Sequence, residues 1–316
     1  MPNNAITNIA LQKNKSRIIF HIDFQSICTG FYSKQNLFYE INYYIQNRKP
    51  SNILIDEYRN YLNSLYSQFR QFSPFMVTFY DYGKNTQNTS ISSGYKGGRS
   101  TISTILEDDE ERALFYQIKE RYFNIIEEKY SVENHGKVYF LKDFESDFIP
   151  YFCIMNNIHQ SKNDDVLNVV LSNDKDLLQC CEFNNTIQCT NIFTLSKNNR
   201  KELKIELWDN YNAISYLYRN FKKGYLTAKH IPLILAIAGD RADGINGIKN
   251  IGYKKAIDLI QTFDIQPDYY YLKNNKDNLP EIIQKHQKLV MDNFLMISFK
   301  EQIKRSTKAI SKFQNF

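Results

Sequence analysis

The run Val166–Ser172, VLNVVLS, is apolar or β-branched almost throughout, follows a polar loop and is succeeded at once by Asp174 and Asp176. A short segment with no polar face is buried on both sides, as an inner strand of a parallel sheet is. Two further runs share its form. Arg17–Asp23, RIIFHID, ends in Asp23, and Pro74–Tyr80, PFMVTFY, is followed by Asp81. Lys137–Leu141, Thr186–Thr190 and Leu203–Leu207 read as additional strands. Between them lie helical patterns: from about Gln25, over 41–72 with an interruption near Pro50, and over 106–130 and 145–158. A short helix follows at 177–180, then helices over 211–221, 231–238 and 279–312. Strands alternating with helices predict an α/β fold, a mostly parallel central sheet with helices on both faces. The polar stretch 1–16 reads as a flexible N-terminal tail, 17–225 as the α/β core and 226–316 as a helical C-terminal region.

Such sheets bind ligands beyond the carboxyl ends of their strands. Asp23, Asp81 and the pair Asp174 and Asp176 all fall there, and Glu145 and Asp147 fall at the turn from the third strand into its helix. Taken singly, Asp23 or Asp81 is an ordinary helix cap or turn residue. Taken together, with Asp240 and Asp243 from farther along, they form a set of eight carboxylates converging on one pocket. So many like charges need compensation. All-oxygen ligation favours Mg²⁺ or Mn²⁺, and two such ions would bracket a phosphodiester without any nucleophilic Ser or Cys.

The stretch Ile231–Ile260, IPLILAIAGDRADGINGIKNIGYKKAIDLI, joins Asp240 and Asp243 to a glycine-rich turn containing Gly247 and Gly252, then to Lys254 and Lys255 at the start of a second amphipathic helix. Backbone N–H groups of such a turn, with lysines at a helix N-terminus, suit a nucleic-acid phosphate. A plain αα-hairpin with glycine caps is the bland alternative. Upstream, 82–100, dominated by Gly, Ser, Thr and Asn, reads as a long loop and closes on Tyr95-Lys96-Gly97-Gly98-Arg99.

Composition sets the limits. The 316 residues are 42% hydrophobic and 15% aromatic, enough for a folded core, and the net charge of +6 is compatible with a polyanionic partner. Five cysteines without a CxxC pair give neither a disulfide framework nor a zinc site. No signal pattern or membrane-length apolar run is present, so a cytoplasmic protein is expected.

These motifs resemble those of the 5′-nuclease family: flap endonucleases, the 5′-nuclease domain of DNA polymerase I, and phage 5′-exonucleases of the phage RNase H type. HIDF and FYD resemble the family's first two aspartate motifs. FESDF resembles its E-A-D-D box, VLSNDKDLLQ its strand with D-x-D, and GDRADGINGIKNIG its GD-x-x-D and helix–hairpin–helix. The resemblance runs from about Arg17 to Leu259. It implies a PIN-like fold with a helical arch at about 82–130 and a helix–hairpin–helix at 239–261. It further implies metal ligation by Asp23, Asp81, Glu145, Asp147, Asp174, Asp176, Asp240 and Asp243, and a catalytic set of Lys96, Arg99, Asp174 and Asp176. DNA contacts would come from Tyr95, Lys96, Arg99, Gly247, Gly252, Lys254 and Lys255, and a monovalent cation such as K⁺ would sit at the hairpin. Four positions depart from the family pattern: Ser146 for alanine, Phe148 for an aspartate, Gly244 for asparagine and Asn250 for a glycine.

The function implied is metal-dependent, structure-specific 5′-nuclease activity near single-strand/duplex junctions, removing RNA primers or flaps in DNA replication. Branched or 5′-flapped DNA and RNA/DNA hybrid would be the substrates of a monomer. A replication clamp or a single-strand-binding protein would be a partner, although no docking motif for either is present. The free-standing phage enzymes are the nearest type, which would place the protein in the cytoplasm of a bacterial host. The alternatives are a branched-DNA-binding protein with weakened catalysis and a PIN-like ribonuclease.

Overall fold

The computed structural model describes residues 2–24, 26, 34–49, 51, 53–82, 86–92, 136–142, 145–160, 165–190, 206–221, 224–306 and 310. Six strands form the central sheet: β1 (Arg17–Asp23), β2 (Phe75–Tyr82), β3 (Gly136–Lys142), β4 (Val166–Leu171), β5 (Thr186–Thr190) and β6 (Glu206–Trp208), in the order β3-β2-β1-β4-β5-β6. All pairings are parallel except β5 with β6. β1 and β4 are in register from Arg17 opposite Val166 to Ile22 opposite Leu171. Two further two-residue strands, β7 (Gly239–Asp240) and β8 (Ile245–Asn246), pair antiparallel with each other.

The described helices are α1 (Pro2–Gln12), α2 (Lys34–Asn47), α3 (Ile53–Phe69), α4 (Thr86–Ile91), α5 (Phe148–Met155), α6 (Ile214–Leu217), α7 (Ile231–Ala238), α8 (Tyr253–Phe263), α9 (Tyr269–Asn274), α10 (Glu281–Lys285), α11 (Gln287–Ile297) and α12 (Phe299–Arg305).

Side-chain alternation along the strands sorts the core into two layers. Ile18, Phe20, Ile22, Leu167, Val169 and Leu171 face a layer built with Tyr58, Leu62, Leu65 and Phe69 of α3. Ile19, Val77, Phe79 and Val170 face the other side, where α5 and α12 pack through Phe148, Phe152, Phe299 and Ile303. A third cluster holds the C-terminal helices together around α7, whose residues 231–237 are all buried.

Five expectations need correction. The N-terminal stretch is not a loose tail: it forms α1, with Ile6 and Ala10 buried in the α3 layer and Lys15 paired with Asp165 at 3.0 Å. Within the loop expected at 82–100, residues 86–91 are helical, and Asn88 is 1% exposed. The expected helix 211–221 is helical only at α6, because Asp209 accepts from the backbone N–H groups of Tyr211 and Asn212 in an Asx turn that competes with the first helical turn. The expected helix 279–312 is broken after Ile297. Phe294 and Met296 pack in the third cluster but Phe299 and Ile303 in the sheet layer, so the chain turns at the extended Ser298. The third cluster also takes Leu178, Cys181 and Ile214 from before residue 226, so 225/226 is not a packing boundary. The helix expected over 106–130, and the arch apart from 82 and 86–92, lie outside the described residues.

Candidate metal centre and nucleic-acid interface

From β1 the chain steps outward to β2 and β3, then returns across to β4 and β5 on the opposite side of β1. The connections diverge between β1 and β4, and that divergence opens a crevice at the carboxyl ends of those strands. Asp23 ends β1, and Asp174 lies just beyond β4. Ser172 joins them: its hydroxyl donates to Asp23 Oδ2 at 2.6 Å and accepts from the Asp174 N–H at 3.0 Å. Burial pushes the Asp23 carboxyl above its usual range, hydrogen bonds from Ser172 and Ser26 oppose the shift, and the charge of Asp174 adds to it. Gln188 of β5 fixes the same loop by donating to the carbonyls of Ser172 and Asp174, at 3.1 and 2.7 Å.

Beside this pair, ligating oxygens of Asp176, Asp240 and Asp243 lie within 4.8 Å of one another. Local hydrogen bonds hold the loops that carry them. Asp174 Oδ1 accepts from the Asp176 N–H at 3.0 Å, and Asp240 Oδ1 accepts from the Ala242 N–H at 3.1 Å. Capping therefore leaves Asp240 one oxygen for a ligand, because only Oδ1 is spent on its own turn. That second oxygen, Oδ2, meets the Lys175 ammonium at 2.6 Å. Asp176 Oδ1 is buried and, among the described residues, accepts no hydrogen bond. Burial pushes the Asp176 carboxyl well above its ordinary range. Asp174 adds to this, Lys175 opposes it, and Asp243 and Asp240 add again. A buried carboxylate oxygen without a donor, beside two more carboxylates, fits a hard, oxygen-ligated divalent cation.

The remaining expected ligands are placed as follows. Glu145 is 7% exposed, and its Oε2 accepts from Asn88 Nδ2 at 3.4 Å. Asp147 stands half-buried at the N-terminus of α5 without a side-chain capping bond, and its charge acts on the buried Cys180 thiol. It is not part of the three-carboxylate group. Asp81 lies on β2 opposite Leu141, its side chain outside the described residues. Tyr95, Lys96 and Arg99 also lie outside them. Phe148 is 1% exposed inside the apolar layer, so this position is a core site in this chain and not a vacant ligand position.

Several residues at the site escaped the sequence reading. Lys175 was legible as the cation between two acids; its ammonium is pushed up by Asp176, Asp240 and Asp174 against burial. Ser172 and Gln188 carried no signal in the sequence. Neither did Tyr253, whose hydroxyl is pushed up first by burial and also by Asp240 and Asp176, against the charge of Lys175.

From Lys175 and Asp240 a groove of about 890 Å³ continues along the hairpin turn to Tyr253. Close packing shapes the turn. A Cβ on Gly247 would stand 2.1 Å from the Ala238 carbonyl carbon, and Gly239 has φ +82 with equally little room. The identity of Gly247 is thus set by backbone contact within the loop. Around Gly252, the N-cap of α8, a Cβ would meet nothing within 4 Å, leaving room for a ligand's backbone. Asn250 sits at φ 65, and Lys255 Nζ donates to its carbonyl at 3.1 Å. Lys254 is exposed on the first turn of α8.

No protein-family profile and no curated protein sequence matches the chain. Solved structures do. The flap endonuclease of bacteriophage T5, described as a pseudo-enzyme–product complex with DNA and metal ions, superposes with a TM-score of 0.65 at 16% identity, over 95% of this chain and 97% of the other. The T5 5′-exonuclease with bound divalent zinc gives 0.61 at 17% identity, over 93% of each. The chain has the 5′-nuclease fold. In this fold the mostly parallel sheet carries the acids at its switch point, and the hairpin lies beside them.

Proposed function

We propose that this protein is a divalent-metal-dependent 5′-nuclease, hydrolysing phosphodiester bonds near single-strand/duplex junctions and removing RNA primers or flaps during DNA replication. The observation that carries the reading is the group of Asp176, Asp240 and Asp243, with its donor-less buried oxygen, opening onto the hairpin groove. That the fold's relatives are described with DNA and metal ions supports it. These three carboxylates, with Asp174, Asp23 and Glu145 beside them, would hold Mg²⁺ or Mn²⁺. Bound there, the cations would neutralise charge on the scissile phosphodiester and acidify the attacking water.

The chain's own residues do the rest. Ser172 and Gln188 keep the acid-bearing loop rigid, and Lys175 balances the acids before substrate arrives. The turn around Gly252, with Lys254 and Lys255, would grip duplex phosphates without reading sequence. By resemblance, Lys96 and Arg99 would hold the phosphates flanking the cut, with Tyr95 stacking on an unpaired base and K⁺ seated at the turn. Cleavage of a 5′-labelled flap, all-DNA or RNA-tailed, is expected in Mg²⁺ and not in EDTA, with cuts near the junction and loss of cutting in Asp176→Ala. Binding without cutting in both Mg²⁺ and Mn²⁺ would overturn the assignment.

A further inference from the structure

The acids come from segments far apart in the chain, and one helix is tied to three of them: the Asp176 segment, the Asp240–Asp243 turn and, through Asn88, Glu145. The last carbonyls of a helix have no partner within it. On α11 that of Met296 accepts from Asn88 of α4 and from Gln302, and that of Ile297 accepts from Gln179, which shares a 3₁₀ helix with Asp176. Asn88 Nδ2 donates to Met296 O at 3.2 Å and to Glu145 Oε2 at 3.4 Å, while its Oδ1 accepts from Arg305 at 3.1 Å. Gln179 lies three residues after Asp176 on the same 3₁₀ turn. Its Nε2 donates to Ile297 O at 3.1 Å, and its Oε1 accepts from the Phe299 N–H at 3.0 Å. The third contact runs the other way: Asn293 of α11 donates through Nδ2 to Ala236 O at 2.9 Å and to Asn246 O at 2.8 Å. Ala236 precedes Asp240 on α7, and Asn246 pairs opposite Gly239, so Asn293 holds the Asp240–Asp243 turn from both ends.

All three amides are 1–3% exposed. At Gln179 a side chain of equal size without a donor would take the side-chain partner from the Ile297 carbonyl; at Asn88, where Gln302 Nε2 also donates to Met296 O at 2.6 Å, the loss falls on the donor to Glu145. We propose that Asn88, Gln179 and Asn293 are positioning residues. Gln179 and Asn293 dock the Asp176 segment and the Asp240–Asp243 turn on α11, Asn88 ties Glu145 to it, and together they set the spacing of the carboxylates toward divalent cations. This rests on the metal-site reading above. The amides touch neither substrate nor cation and act only through the acids. Supports of this kind commonly change metal affinity 10- to 100-fold when lost.

The test is direct binding of Mn²⁺, read by electron paramagnetic resonance at a temperature where circular dichroism shows each protein folded, with a thermal melt alongside. Asn88→Ser, Gln179→Met and Asn293→Ser are each expected to weaken Mn²⁺ binding about 10-fold. Gln287→Leu is the control. Gln287 makes a like contact from the other end of α11, donating to Leu272 O at 2.6 Å, but α9 carries no acid of the site. It should lower the melting temperature and leave Mn²⁺ affinity unchanged. If a Gln179→Met protein does not fold, Gln179→Glu keeps the volume and the acceptor for Phe299 while removing the donor. Lowered melting with unchanged Mn²⁺ affinity in all three variants would show a merely structural role and overturn the proposal. Asp176→Asn and Asp240→Asn serve as references: if they too bind Mn²⁺ like wild type, the metal-site reading itself fails.

Discussion

Asn250 and Gly247 stand three residues apart in one turn, and the backbone constrains them differently. Asn250 adopts φ 65, a left-handed conformation that asparagine tolerates and β-branched residues resist. Glycine at this position is therefore exchangeable with asparagine. Asn250→Gly should leave the melting temperature nearly unchanged, whereas Asn250→Val should cost about 1–2 kcal/mol, measured by urea unfolding. Gly247 permits no such exchange, since a Cβ there meets the Ala238 backbone at 2.1 Å. Gly247→Ala should destabilise by about 3 kcal/mol, and a drop below 1 kcal/mol would mean the loop can open. At Phe148 the apolar layer leaves no partner for a carboxylate, so Phe148→Asp should destabilise the fold without tightening Mn²⁺ binding. Tighter binding would show that the position faces the cations after all.

At the level of single elements, the entry to α7 is pH-sensitive. His230 Nδ1 accepts from the Thr227 N–H at 3.1 Å, closing a capping box just before α7 begins. Burial, with Lys229 next, holds its pKa down to about 4, although the Thr227 carbonyl and Asp264 pull the other way. A histidine depressed from 6.5 to about 4 is neutral in the fold while the unfolded chain already takes up a proton. The stability it contributes is complete above pH 6.5 and is lost progressively as pH falls from 6.5 to about 4, because the unfolded chain binds a proton that the folded Nδ1, occupied as an acceptor, refuses. Thermal melts between pH 7.5 and 4 should therefore fall more steeply for wild type than for His230→Gln. The difference should reach roughly 2 kcal/mol at the acid end; parallel curves would remove His230 as the cause. His21 and His159 are likewise held down to about 4 and steepen both curves equally.

For the whole molecule, the cost of assembling the site is electrostatic. Asp174, Asp176 and Asp240 all act on the Lys175 ammonium, with Asp243 beside them and Asp23 joined to Asp174 through Ser172. Cations that bind the folded state alone stabilise by mass action, about 2.7 kcal/mol at a hundred times the dissociation constant. Saturating Mg²⁺ or Mn²⁺ should raise the melting temperature, and Asp240→Asn should blunt the rise. An equal rise in wild type and variant would place the cations elsewhere.

Much of the fold was legible because its strands are local: VLNVVLS and RIIFHID announce burial on both faces, and the acids after them mark the strand ends. Gly239–Asp243 was legible for a similar reason, since its spacing and turn chemistry belong to one short stretch. Burial of α1 against α3, the break at Ser298 and the burial of Phe148 were not, because each depends on which core a residue meets. An α/β sheet and the acid-bearing ends of its strands were written in the chain, since both follow from local periodicity and side-chain chemistry. Packing settled the rest: which acids stand within 4.8 Å, that Lys175 faces Asp240, and that Asn88, Gln179 and Asn293 bond to or from one helix. Those contacts join residues up to about two hundred positions apart, and their geometry is fixed by how the layers pack.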